Sequence, residues 1–374
     1  MPRNPSGPEM AARSLYRPEL DVLRFVAFLM VFLHHVLPRE VAEVAGLDPL
    51  IGRLTVSTTQ SLGFGLTLFF TLSAFIMTRL LREEQAATGT IRVGDFYVRR
   101  ILRIWPLYAL GLAIGFLLAE ATDGPQGREM IGWFSLFLGN WWFLDHGWAV
   151  NPMTPLWSIS VEEQFYLVLP LLLVITGARG GVRLGVAAIA LGFVATWIQG
   201  ERHLAIDTAI WTNTTTHLAA FGVGIALGEV TRKGAPFRGA LGRAGLVVFA
   251  LVAFFLAADV FDAKRIAEAR SGFDVAFGHG LAAFAAGALI LAVLDLRVTF
   301  PAMLLHLGKI SFGLYVFHLL ALRWVEATVQ AGPVADAVLA LGLDIVVASV
   351  SYAFWEKPFL ALRRRFQTIA SRPI

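Results

Sequence analysis

Ten separate apolar stretches constrain this chain more than any motif in it. They cover Asp21–His35 and then roughly 61–81, 104–120, 161–177, 184–200, 214–230, 244–261, 275–294, 308–329 and 334–355. A helix needs about 20 largely apolar residues to cross the hydrocarbon of a bilayer, and in that medium a single segment satisfies its backbone only as a helix. The expected fold is therefore all-α: a polytopic transmembrane helical bundle of about ten spans, several of them short. Composition agrees, because only 16% of the residues are charged and 57% are hydrophobic, where soluble domains carry about a quarter charged residues. Residues 38–60 read as a loop. Met130–Leu144, with Trp133, Trp141 and Trp142 but interrupted by Gly139-Asn140, reads as an aromatic segment at the membrane interface.

Loop charges orient the bundle. With both termini cytoplasmic, the outer segments hold only Arg39, Arg53, Arg128, Arg202, Lys264, Arg265 and Arg270, and the inner ones outnumber them roughly three to one. That bias predicts an even number of spans in the inner (plasma) membrane. The chain divides into a cytoplasmic N-terminal segment over 1–19, a membrane domain over 20–358 and a basic cytoplasmic tail over 359–374. The first segment, with Pro2, Pro5, Pro8 and Pro18, reads as poorly ordered. The first apolar run carries Arg24 and lacks a small-residue cleavage site, so it reads as an uncleaved span. No soluble esterase-like domain follows the tenth span, so a second, soluble transfer step is expected to need a separate protein.

The absence of cysteine excludes a disulfide framework, a thiolate zinc site and an acyl-cysteine intermediate, and no metal is expected. The net charge of +4 comes from clustered loop arginines suited to lipid headgroups or an anionic ligand. No aromatic-interleaved basic patch for nucleic acid is present.

The first span reads DVLRFVAFLMVFLHH. Arg24 and His35 are eleven residues apart, about three helical turns, which puts them on one face roughly 16 Å apart along the axis. Ionisable groups inside a membrane face partners or a polar cavity. The plainer alternative is that Arg24 snorkels to the headgroups while His35 bonds a neighbouring helix.

Three further clusters carry candidate chemistry. In DFYVRRILRIWPLY, Arg99, Arg100 and Arg103 are three and four residues apart, so a helix aims them at one volume. Arginine forks suit phosphate oxygens, although a positive-inside anchor explains them too. In NPMTPLWSISVEEQFYL, Ser160 and Glu163 match a capping box at a helix start. Glu162 is left over, to approach His35 or an acceptor hydroxyl, or to pair with a loop arginine. In GKISFGLYVFH, His318 either lines the same cavity or is a core histidine bonded to a carbonyl. Glu356-Lys357 before Pro358 reads as a helix stop with a local charge pair.

Taken together, Arg24-x10-His35, FFTLSAFIMT (69–78), FYVRRILRIWPLY (96–108), LWSISVEEQFYL (156–167), GKISFGLYVFH (308–318) and EKPF (356–359) resemble the acyltransferase-3 family. These are integral membrane enzymes that O-acylate surface glycans and some secondary metabolites, usually from acetyl-coenzyme A. The blocks follow the family's order over nearly the whole chain. The resemblance implies catalytic roles for His35, Arg24 and Glu162. It implies donor binding by Arg100 and Arg103, with Arg99 beside them, and a site lined by Ser158, Glu163, Tyr166 and His318. Two positions depart from the family's usual pattern, Thr67 where many members have Asp and Ala74 where many have Gly.

The expected partners are the lipid bilayer, acyl-coenzyme A (acetyl by resemblance) and a carbohydrate or other hydroxyl acceptor, a macrolide-like metabolite included. The donor phosphates would bind at the arginine cluster and the pantetheine arm would run beside the first helix toward His35, acting as general base. No Gly-x-Ser-x-Gly elbow is present, which favours direct transfer. The competing classes are a transporter or channel for an anionic solute, with buried arginines as selectivity groups, and a family member, given Thr67, that only binds.

Overall fold

Each of the ten apolar stretches is largely helical, although those over 61–81 and 308–329 run across breaks at Gly63-Phe64 and at Ile310. The computed structural model describes residues 16–236, 239–261, 263, 271–367 and 369, and among these there are helices and no strands. The helices are α1 Pro18–Val36, α2 Pro49–Leu62, α3 Gly65–Thr88, α4 Val93–Thr122, α5 Pro125–Ser135, α6 Gly139–His146, α7 Trp157–Thr176 and α8 Gly181–Glu201. They continue with α9 Leu218–Val230, α10 Ala240–Asp259, α11 Gly272–Val293, α12 Ala302–Lys309, α13 Ser311–Thr328, α14 Pro333–Ser351 and α15 Lys357–Arg363. A π-helical turn, Tyr352–Glu356, joins α14 to α15.

By length and composition seven helices among the described residues are able to cross a membrane, or eight if α12 and α13, bent by 74° at Ile310, count as one broken span. The shortfall against ten has two local causes. Helix α1 carries Glu19, Asp21 and Arg24 in its first two turns, and α9 has only 13 residues. Helices α5 and α6, at 11 and 8 residues, are too short to span.

Two expectations are corrected. The 38–60 loop contains α2, because Asp48 at its N-cap accepts from the amides of Leu50 and Ile51 and Pro49 occupies the first turn. Pro18 opens α1, so the end of the segment read as poorly ordered is helical; residues 1–15 lie outside the described residues, as does most of the tail beyond Gln367.

The outward faces of α10 (Leu241, Val248, Leu251) and α14 (Val334, Val338, Val346) are exposed and apolar, as lipid contact requires. Helices α3 and α11 form the core. Short α9 is gripped between α8 and α3 by glycines. A Cβ at Gly222 would meet the Gly185 carbonyl at 2.6 Å, and one at Gly224 would strike the carbonyl of Thr71. Such close backbone approach is how helices associate where no water drives them together.

One end of this interface is tied by a buried ion pair. Arg82 meets Glu229 at 2.6 Å, both nearly inaccessible, and donates also to the Gly177 carbonyl at 2.9 Å and to Gln85 Oε1 at 2.8 Å. Glu229→Ala leaves the guanidinium buried without its carboxylate, a loss of about 3–5 kcal/mol. The variant is expected to unfold at a clearly lower temperature in detergent than the parent, with Glu229→Gln intermediate; equal midpoints would show that the pair does not hold the helices.

Candidate functional site

Helix α1 enters two cavities, one at each end. Arg17 at its N-cap and Asp21 and Arg24 in its first turns line a cavity of about 90 Å³, to which α3 adds Arg79, α4 adds Arg100 and Arg103, α12 adds Lys309 and α15 adds Arg363. Among the described residues seven cations thus line it against the one carboxylate of Asp21. Some are held by the fold. Arg79 donates to the Thr231 carbonyl at 2.9 Å, Arg17 pairs with Asp295 at 2.9 Å, and Arg103 lies 3.6 Å from Glu356. Arg24 makes no ion pair among the described residues. Arg100 is buried, lies over the rings of Tyr166 and Phe96 at 5.6 and 5.8 Å, and its Nε has no hydrogen-bond partner among the described residues. A buried cation without a direct ion pair is costly.

Arg99 differs from its two neighbours. It donates to Glu84 at 2.8 Å and to the Phe366 carbonyl at 2.8 Å, and it does not line this cavity. On α4 it points one position round the helix, where a buried carboxylate and the returning C-terminal segment take both arms of its fork.

The last turn of α1 faces the second cavity, of about 980 Å³. His34 and His35 line it with Gln60, Trp148, Trp157, Asp207, Trp211, Tyr315, Arg323 and Glu326. His34 Nδ1 is 2.9 Å from the Thr59 carbonyl on α2, which fixes the helix end. The His35 ring lies 5.2 Å from that of His318, centroid to centroid. His318 is fully buried; its Nδ1 bonds the Tyr315 carbonyl at 2.7 Å, and its Nε2 has no hydrogen-bond partner among the described residues. Of the two readings of His318, the structure shows the core histidine bonded to a carbonyl; His318 is not among the residues lining the wide cavity, although its ring packs on His35. Tyr315 was not singled out in the sequence, although it stands three residues before His318 and so shares its helix face. Its hydroxyl bonds Ser158 at 2.7 Å and the Pro155 carbonyl at 3.1 Å.

Glu162 is not among the residues lining the His35 cavity. It accepts from the Tyr166 hydroxyl at 2.6 Å, and that hydroxyl also bonds Ser73. Since Arg100 lies over the same tyrosine ring, Glu162 belongs with the arginine cluster. The capping box is also corrected. Helix α7 starts at Trp157 behind a 3-10 turn, Thr154–Leu156, so Ser160 sits inside it and its hydroxyl caps nothing. Glu163 instead accepts from Trp105 Nε1 at 3.1 Å. Nor is Glu356 part of a helix stop: it is buried within the π turn and faces Arg103 across the bundle.

The two cavities share no lining residue. Between Arg24 and His35 on the same face of α1 stands Phe28, fully buried and edge-on to His318 at 6.2 Å.

An all-helical bundle with apolar helices able to cross a membrane, a cationic cavity at one end and a histidine-lined cavity at the other, is the frame of a membrane acyltransferase. The acyltransferase domain family matches residues 17–355, and the chain belongs to this family. It is 24% identical over 393 residues to the O-acetyltransferase OatA of Staphylococcus aureus strain NCTC 8325, covering 96% of this chain and 59% of that protein. It is 25% identical over 383 residues to "Putative O-acetyltransferase SAS0844" of S. aureus strain MSSA476, covering 92% of this chain and 57% of the relative. The chain thus spans less than two thirds of these relatives. No solved structure matches it.

Proposed function

We propose that the protein transfers an acyl group, acetyl by its likeness to the named O-acetyltransferases, from acyl-coenzyme A to a hydroxyl of a cell-surface or exported carbohydrate. The observation that carries this reading is the stacking of the two cavities along one face of α1, cationic at Arg24 and histidine-lined at His35, about 16 Å apart. The donor's phosphates bind Arg24, Arg100 and Arg103, with Glu162 and Tyr166 holding the Arg100 side of the site in place and Arg99 buttressing the fold behind it. The acceptor enters the wide cavity, whose tryptophan faces and carboxylates at Asp207 and Glu326 suit the apolar faces and hydroxyls of a sugar.

In this reading His35 takes the proton of the acceptor hydroxyl as its oxygen attacks the thioester carbonyl. The C–S bond breaks as the new C–O bond forms, and the proton on His35 passes to the departing thiolate. Arg24, three turns away, guides the donor and takes no part in the bond changes. The arginine bias of the loops supports ten crossings with both termini in the cytoplasm of a plasma-membrane protein, so the donor site opens to cytoplasmic coenzyme A.

The arm must pass Phe28. Phe28→Trp is expected to lower transfer about tenfold or more by overfilling the passage, with the affinity for coenzyme A unchanged. A variant with undiminished transfer would route the arm elsewhere.

The cationic cavity also suits a transporter of anionic solutes. The purified protein decides between the two: release of free thiol from acetyl-coenzyme A supports transfer, whereas solute uptake into vesicles without thioester loss overturns it. A gain of one acetyl on surface glycans, found by mass spectrometry only when the gene is present, identifies the acceptor class.

A further inference from the structure

The cationic cavity holds more charge than a diphosphate requires, and the surplus has a distinct location. Arg24 and Arg100 are explained by a diphosphate. Lys309 and Arg363 approach from a different part of the fold, the junction of α12, the π turn and α15. Lys309 Nζ lies 5.2 Å over the ring of Tyr352, the first residue of the π turn, and Tyr352 lines the cavity as well. Arg363 is buried rather than spread into solvent like an ordinary tail arginine. Its helix is held from two sides: Glu356, one residue before α15, faces Arg103, and Arg99 grips the Phe366 carbonyl three residues beyond Arg363. The segment 359–366, read from the sequence as the start of a basic tail, thus contributes Leu360 and Arg363 to the cavity wall.

We propose that Lys309 and Arg363 form a second phosphate subsite that reads the 3′-phosphate of the donor nucleotide, so that the site selects coenzyme A over its 3′-dephospho form. This rests on the acyl-coenzyme A reading given above and adds the residues that discriminate the donor. The segment carrying Arg363 packs on α4 through Arg99 and Arg103, so the two subsites share one rigid wall.

The test measures the dissociation constants of coenzyme A and dephospho-coenzyme A for the purified full chain in detergent. The parent is expected to bind coenzyme A about ten- to a hundredfold more tightly than the dephospho form, the range of one or two charge-assisted bonds. Arg363→Gln and Lys309→Gln are expected to weaken coenzyme A toward the dephospho value and to change dephospho-coenzyme A less than twofold. Equal affinities in the parent, which need no variant, would overturn the proposal; so would variants that weaken both ligands alike. Arg100→Gln separates this from failure of the donor reading. If it weakens both ligands while Arg363→Gln and Lys309→Gln change neither, only the subsite is wrong; if the parent binds neither ligand, the donor reading falls with it.

Discussion

His35→Ala is expected to abolish acyl transfer while leaving the protein folded in membranes and its affinity for coenzyme A intact. The argument is one of place. His35 lies at the end of α1 in the wall of the wide cavity, against His318, and its neighbour His34 is tied to the Thr59 carbonyl. Removing the imidazole takes away the general base in the proposed reaction, a loss on the order of 10²–10⁴ in rate, and leaves the cationic cavity at the other end of the helix untouched. His34→Ala is the matching control: it loosens the helix end and should reduce transfer far less. The measurement is thiol release from acetyl-coenzyme A in the presence of acceptor, with coenzyme A binding measured in parallel. Full activity in His35→Ala would remove the residue from the mechanism, and loss of coenzyme A binding would show a structural role instead.

Short-range features of the fold were legible in the sequence. Length and apolarity located the helical stretches, although among the described residues seven or eight helices, not ten, are long and apolar enough to cross a membrane. The spacing of Arg24 and His35 is a helical property that survives folding, and so is the three-residue step from Arg100 to Arg103. What escaped was decided by partners far along the chain. Nothing near Arg99 announces that Glu84 and the Phe366 carbonyl will take its donors, and nothing in EKPF announces that Glu356 will face Arg103. The serine and glutamate of SVEE match a capping pattern, but the helix starts earlier, at Trp157, because the preceding 3-10 turn already satisfies its first amides. One reading of Glu162 places it beside His35, because loop charges put both at the outer face; the other pairs it with an arginine. The bond of Glu162 to Tyr166, one turn further along α7, is local; what no local pattern encodes is the rotation of α7 that sets this pair beside Arg100 on α4.

The second large effect concerns the donor. Arg100→Ala combined with Arg103→Ala is expected to weaken coenzyme A binding by about 10²–10⁴-fold, since each charge-assisted contact to a phosphate is worth about 1.5–3 kcal/mol. The two residues should not contribute equally. Arg103 lies 3.6 Å from Glu356, so part of its charge is already answered; Arg100 has aromatic rings on two sides and an Nε with no hydrogen-bond partner among the described residues. Arg100→Ala alone should therefore account for most of the loss. Arg100→Lys should restore only part of it, because an ammonium lacks the fork that grips two phosphate oxygens at once. Glu162→Gln makes the assignment sharper. If Glu162 serves the arginine cluster through Tyr166, this change should alter donor affinity as well as turnover; a loss confined to the rate, with donor binding intact, would return Glu162 to the chemistry at His35. Unchanged affinity in the double arginine variant would mean that the phosphates bind elsewhere and that the cationic cavity serves another anion.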